Sequence, residues 1–241
     1  MTMIRAVFLT LTVLLGACTE MPSNDQPARI LTMGDSMLAW HSNSRNSVSH
    51  AIEGILREPV IDRSVPGARI FYNLPVSGAL GMNISKQYIA GEWDWVILNG
   101  GGNDLWMGCA CAVCDRKIDR MISKDGRSGA IPGMVAKARA RGARVIWVGY
   151  LRSPGVGSGV EYCKDEGDEI DARLTRLDAA DPGFWFISLQ DLVPHGDRSF
   201  HDEDMIHPSR KGSHAIAARI SDVIRNAPPA PASSSGPSAP G

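Results

Sequence analysis

The chain has 241 residues, 44% of them hydrophobic and 21% charged, with a formal net charge of −1. That near balance, with no basic stripe and no aromatic–basic interleaving, argues against nucleic acid as a partner. The 25 glycines and 15 prolines fall into no internal repeat, which excludes a fibrous chain and leaves room for one well-cored domain between about Arg29 and Asn226.

The first residues read as an export signal. Arg5 precedes the apolar run Ala6 to Leu15, which is too short to span a bilayer comfortably. The run closes in Leu15-Gly16-Ala17-Cys18, which resembles a bacterial lipoprotein cleavage site. That resemblance implies a signal peptide over 1–17, a lipidated Cys18 and a linker over 18–28. Thr19, rather than Asp, follows the cysteine, which implies sorting to the outer membrane of a Gram-negative cell. The expected location is therefore exported and periplasmic, with a lipid anchor as the membrane contact. An ordinary secretory signal that happens to contain a cysteine is the competing reading.

Beyond the linker, strand and helix patterns alternate. Ala28 to Met33 is an apolar run ending at Gly34-Asp35-Ser36. Ser47–Leu56 has helical spacing, Pro59–Asp62 reads as a short strand, and a helix is expected around Met82 to Ala90. Trp95–Asn99 is a buried strand followed by Gly100, Gly101 and Gly102. Ile131–Arg141 reads as a helix closed by Gly142, and Ala143–Gly149 is the clearest strand. A helix over Glu166–Ala180, a strand over Phe184–Ser188 and a helix from Pro208 to Arg225 complete the pattern, with Pro208 placed in a first turn. From Ala227 the chain is uncharged and proline-rich, so residues 227–241 read as a disordered tail.

Alternation of this kind predicts a single α/β domain over 29–226, a three-layer α/β/α sandwich around a parallel sheet. Ligands of such sheets bind beyond the carboxyl ends of the strands. Ser36, Gly67 and Asn103 each follow a predicted strand, and the Asp204–His207 loop follows the last one.

If Cys18 carries lipid, four cysteines remain: Cys109, Cys111, Cys114 and Cys163. An even number in an exported protein favours disulfides, with three possible pairings. Four thiolates at a zinc ion are the alternative. Either arrangement would pin the segment after Asn103 to the loop near Cys163, beside the expected site.

With these residues in view, the chain resembles the SGNH hydrolase superfamily, the GDSL esterases and lipases. Gly34-Asp35-Ser36 matches the nucleophile block, Gly67 the isolated glycine block, Gly101-Gly102-Asn103-Asp104 the Gly-x-Asn-Asp block and Asp204-x-x-His207 the final block. The fold implied is SGNH/flavodoxin-like. Met37 stands where the family name expects leucine, a near-isosteric change. The cysteine cluster and Leu151-Arg152-Ser153-Pro154-Gly155 lie outside the general pattern. The absence of Gly-x-Ser-x-Gly around Ser36 argues against an α/β-hydrolase.

The chemistry expected of these residues is acyl transfer. A serine hydroxyl needs a base to take its proton, and His207 can do so near neutral pH. Asp204, on the same short loop, would hold the imidazole tautomer. The backbone amides of Ser36 and Gly67 and the Asn103 side chain are candidate oxyanion donors. Asp35 is expected to brace the nucleophile loop; Trp40 and Trp106 are candidates to line an acyl or ring pocket, though core packing is the commoner fate of a tryptophan. Bland alternatives exist for each: Ser36 as a helix cap, Gly67 as a turn residue, Asn103 as a loop brace, and Asp204 and His207 with His201 and Asp202 as metal ligands.

The sequence therefore points to an ester hydrolase working without a cofactor or metal, on small-molecule, lipid or O-acyl (including O-acetyl) glycan esters. An acyltransferase on the same fold and a non-catalytic envelope binding lipoprotein are the competing functions. Oligomeric state is not encoded in any feature read here.

Overall fold

Five short, mostly apolar runs form a wholly parallel sheet: β1 (Ile30–Met33), β2 (Val60–Asp62), β3 (Trp95–Leu98), β4 (Arg144–Val148) and β5 (Phe184–Ile187). The strand order is β2-β1-β3-β4-β5, the flavodoxin-like order. In register, Ile30 lies beside Val60 on one side and Trp95 on the other. The structure is a computed structural model that describes residues 27–228. The expected signal peptide, Cys18 and most of the proline-rich tail lie outside the described residues.

A parallel strand alternates its side chains between two covered faces. Leu31, Met33, Val96, Leu98, Val145 and Trp147 enter one core. Ile30, Trp95, Ile97, Ile146 and Val148 enter the other. The helices are α1 (Ser36–Ala39), α2 (Val48–Leu56), α3 (Gly102–Cys109), α4 (Asp115–Met121), α5 (Ala130–Arg139), α6 (Lys164–Ala180) and α7 (Arg210–Asn226). The first core is closed by Ile118 of α4, Ile131 and Val135 of α5 and Leu174 of α6. The second is closed by Val48 and Ile52 of α2 with Ile216 and Ile220 of α7. This is the expected three-layer α/β/α sandwich.

Two readings need correction. The stretch from Met82 to Ala90 is not a regular helix: a wide turn over Gly78–Met82 and a 3₁₀ turn over Ile84–Lys86 replace it. Gly81 sits at φ 107°, where a helix cannot continue, and a Cβ there would come within 2.7 Å of Val65. Pro208 is not in the first turn of α7. Ser209 caps that helix by accepting from the Gly212 amide, while Pro208 pairs with His201 in an isolated bridge. Helices α1, α3 and α4 have no counterpart in the sequence reading. All three have eight residues or fewer, too short to show a sustained periodic stripe.

The four cysteines form two disulfides, Cys109–Cys114 and Cys111–Cys163. The second closes 52 residues and joins the end of α3 to the start of α6. Chain entropy assigns such a loop about 4 kcal/mol. Replacing both Cys111 and Cys163 by serine should lower the urea unfolding free energy by about 2–4 kcal/mol. The double serine variant of Cys109 and Cys114, which closes only a short loop, should lose less in the same titration.

Candidate active site

Ser36 sits where β1 ends and α1 begins, with 9% of its surface exposed. Its approach is fixed by backbone. A Cβ on Gly34 would lie 3.0 Å from the Asn99 carbonyl oxygen, so the chain passes too close for a larger residue. The buried Gln87 side chain holds the same glycine from the other side. Its Oε1 accepts from the Gly34 amide at 2.7 Å, and its Nε2 donates to the carbonyls of Gly34 and Gly81, both at 2.8 Å. Asp35, not Ser36, caps α1, accepting from the Met37 amide at 3.0 Å. The Ser36 hydroxyl is thereby left free of capping.

It meets His207. The His207 Nε2 lies 2.8 Å from Ser36 Oγ, and Nδ1 lies 2.5 Å from Asp204 Oδ2. Asp204 Oδ1 also accepts from the amides of Ile206 and His207 at 2.9 and 3.0 Å, folding the loop around its own carboxylate. Met205 takes φ 59° at the crest of that loop, and Ser158 donates to its carbonyl. Partial burial opposes ionisation of Asp204, but the donors from the His207 ring and the two amides outweigh it and hold the carboxyl below its usual range.

Trp40 lies on His207 rather than in a pocket wall or the core. Its ring stacks face to face on the His207 imidazole, with centroids 3.7 Å apart and 7° between planes. The indole Nε1 donates to Asp202 Oδ2 at 2.6 Å, so Asp202 orients the tryptophan. His201 is buried, with neither ring nitrogen hydrogen-bonded among the described residues.

The Asn-Asp pair works as two clamps. Asn103 Nδ2 donates to the Ala68 carbonyl at 3.1 Å, next to Gly67. The buried Asp104 carboxylate accepts from the amides of Ile70 and Phe71 at 2.8 and 2.9 Å. Gly67 takes φ 78°, a conformation that favours glycine. The turn carrying Gly67 is thus tied to α3, and so to the strand after which Asn103 falls.

Asp35 has a second partner that no local spacing marks. The Tyr150 hydroxyl donates to Asp35 Oδ2 and accepts from the Gly102 amide at 2.8 Å. This links the exits of β1, β3 and β4. Burial pushes the Asp35 carboxyl up to about 6, against the opposing pull of the Tyr150 and Met37 donors.

A cavity of about 490 Å³ opens at Ser36, Asn103 and His207. Leu105, Trp106, Leu151, Pro154 and Ile206 form apolar walls, while Arg152, Glu161, Lys164, Gln190 and His195 bring polar groups. The whole segment Leu151 to Gly155, outside the general motif, lines it, and so does Cys163. The disulfide cluster therefore does border the site. Arg152 is held by Asp171 at 2.8 Å and Asp168 at 2.9 Å, and its guanidinium passes so close to Gly167 that a Cβ there would lie 2.2 Å away.

A parallel α/β sheet with a serine hydroxyl, an imidazole and a carboxylate hydrogen-bonded in line at its carboxyl edge is an arrangement that serine hydrolases use. The chain belongs to the GDSL-like lipase/acylhydrolase family, whose model matches residues 32–215. It is a serine esterase of the SGNH/GDSL type. The fold is shared with a candidate SGNH hydrolase from Slackia heliotrinireducens at 17% identity and TM-score 0.58, covering 83% of this chain and 100% of that one. A family two carbohydrate esterase from Clostridium thermocellum in complex with cellohexaose (18% identity) and an acetyl xylan esterase, Est2A, from the rumen bacterium Butyrivibrio proteoclasticus (15%) each give a TM-score of 0.53. Each match covers 83% of this chain and 64% of the esterase. No curated protein matches the chain in sequence.

The raised Asp35 has a consequence for stability. Its contribution is fully present below the ordinary carboxyl value near 4 and is lost as pH rises through about 6. Asp35→Asn removes that loss. The stability of the variant relative to the parent should rise between pH 4 and pH 7 by on the order of 2–3 kcal/mol. Paired urea titrations across that range measure it; a difference independent of pH would contradict the raised carboxyl.

Proposed function

We propose that the protein hydrolyses carboxylic esters of lipids or O-acylated glycans through an acyl-serine intermediate on Ser36. The observation that carries this reading is the unbroken hydrogen-bond line from Asp204 through His207 to Ser36, ending at a cavity that can hold a substrate. In this mechanism Ser36 Oγ attacks the ester carbonyl carbon while its proton passes to His207 Nε2. Asp204, kept ionised by its three donors, stabilises the imidazolium. The stacked Trp40 ring adds a negative π face against the same cation.

The oxyanion is received by the amides of Ser36 and Gly67 and by Asn103 Nδ2, whose bond to Ala68 aims it without consuming both amide protons. Collapse of the tetrahedral species breaks the bond to the leaving alcohol, which takes the proton from His207. A water activated by His207 then releases the acid. Apolar and polar walls in one cavity suit an ester with an apolar acyl part and a polar alcohol part. For the cell, the reading adds export, with 1–17 as signal peptide and Cys18 as lipid anchor, supported by the sequence alone.

A fluorophosphonate probe should label the protein and leave Ser36→Ala unlabelled. p-Nitrophenyl esters from acetate to palmitate should be turned over by the parent only, and their chain-length profile separates a deacetylase from a lipase. No labelling of folded, oxidised protein overturns the proposal. Asn103→Ala should lower kcat by about 10²–10³, with a much smaller effect on probe labelling of Ser36 at saturation.

A further inference from the structure

Among the described residues, the large apolar side chains left exposed are Leu74, Val76, Leu80, Trp106, Met107, Val113, Val156 and Tyr162. A soluble surface scatters such residues singly. Here they fall into three segments, 74–80, 106–113 and 156–162, which follow β2, β3 and β4 and so occupy the carboxyl edge of the sheet. The outer faces of α2, α5, α6 and α7 carry none of them.

The segments are tied to one another. Cys111–Cys163 brings Val113 and Tyr162, each within two residues of the bridge, to the same corner. The Asp104 carboxylate holds Ile70 and Phe71, at the root of the 74–80 segment, against the first turn of α3, which carries Trp106 and Met107. Trp106, Val160 and Glu161 also line the substrate cavity, so two of the three segments border it.

Around the 74–80 and 106–113 segments the charges are biased to one sign. Arg69 and Lys86 are the only charged residues from 69 to 86. The Lys86 ammonium lies beside Gly78, and the Lys117 ammonium beside Gly108. The Arg69 guanidinium stands over the Tyr72 ring and that of Arg120 over Phe71. Arg116 is exposed on α4. On the acidic side, Asp104 is buried in its own hydrogen bonds and Asp119 is paired with Arg173, leaving Asp115 by these two segments, while Glu161, Asp165 and Glu166 flank the third beside Lys164. Apolar side chains that insert, framed by cations that meet headgroups, are the requirements of an interfacial contact with anionic lipid.

We infer that the rim formed by 74–80, 106–113 and 156–162 docks on an anionic lipid surface, with the cavity of Ser36 opening into it. Docking is separate from ester cleavage, and the two fail independently. The test is amide hydrogen exchange on the full chain, read peptide by peptide, with vesicles of phosphatidylglycerol and phosphatidylcholine mixed. The peptide readout is needed because an N-terminal anchor would bring the chain to vesicles without engaging the rim.

All three segments should gain protection on anionic vesicles, and the protection should fall in pure phosphatidylcholine and at high salt. Leu74→Ser/Val76→Ser/Leu80→Ser changes only exposed positions and should abolish the gain in its segment while turnover of a water-soluble ester is unchanged. Arg116→Gln should weaken vesicle binding about fivefold. Unchanged exchange in the three segments on anionic vesicles overturns the inference, whatever the esterase assays give. Protection that tracks protein concentration without vesicles also overturns it, in favour of a second copy on this face.

Discussion

The site depends on one constraint: the chain leaving β1 must turn while its backbone polar groups are buried. Gly34 solves the steric half, because the Asn99 carbonyl stands where a Cβ would go. Gln87 solves the polar half, satisfying the Gly34 amide and carbonyl together with the Gly81 carbonyl. An unpaired buried amide or carbonyl costs about 1–3 kcal/mol. The irregular path from Gly78 to Gln87 is therefore the form that delivers Gln87 to this place. A regular helix there would have satisfied its own backbone and left the Gly34 amide unmatched, whereas the Gly34 carbonyl also accepts from Val65.

The second dependence is on α3. Its first turn presents Asn103 to the cavity, sends Asp104 to the amides of Ile70 and Phe71, and places the Gly102 amide on Tyr150. Its last residue enters one disulfide, and two residues further the chain enters the other. The element is two turns long and could not hold itself. Its order comes from bonds to four other segments, so cavity wall, Gly67 turn and apolar rim move as one unit with it.

This explains what could be read beforehand. The strands at 95–98 and 144–148 were legible because parallel strands buried on both faces are continuous apolar runs, and α2, α5, α6 and α7 because each carries a periodic stripe. Ser36, Asn103, Asp204 and His207 were legible as candidates because each follows a strand end, in the chain order Ser, Asn, Asp, His. Gln87, Tyr150 and Asp202 were not. Each reaches a partner 53, 115 or 162 residues away, and no local spacing marks it. The cysteine count allowed three pairings, and only the folded distances choose Cys109–Cys114 with Cys111–Cys163.

The two aspartates near His207 show how environment divides similar groups. Asp35 is fully buried beside the nucleophile, and burial raises its carboxyl to about 6 despite two donors. Asp204 is about one-third exposed and has three donors, and its carboxyl is held down. In the proposed mechanism the imidazole becomes a cation and is best served by the neighbour whose charge is held, Asp204 rather than Asp35. Asp35 serves instead where a fixed acceptor is wanted, at the Met37 amide and the Tyr150 hydroxyl. The more exposed acid is thus the better partner for the base, because water and backbone donors keep its charge while the buried acid keeps the geometry.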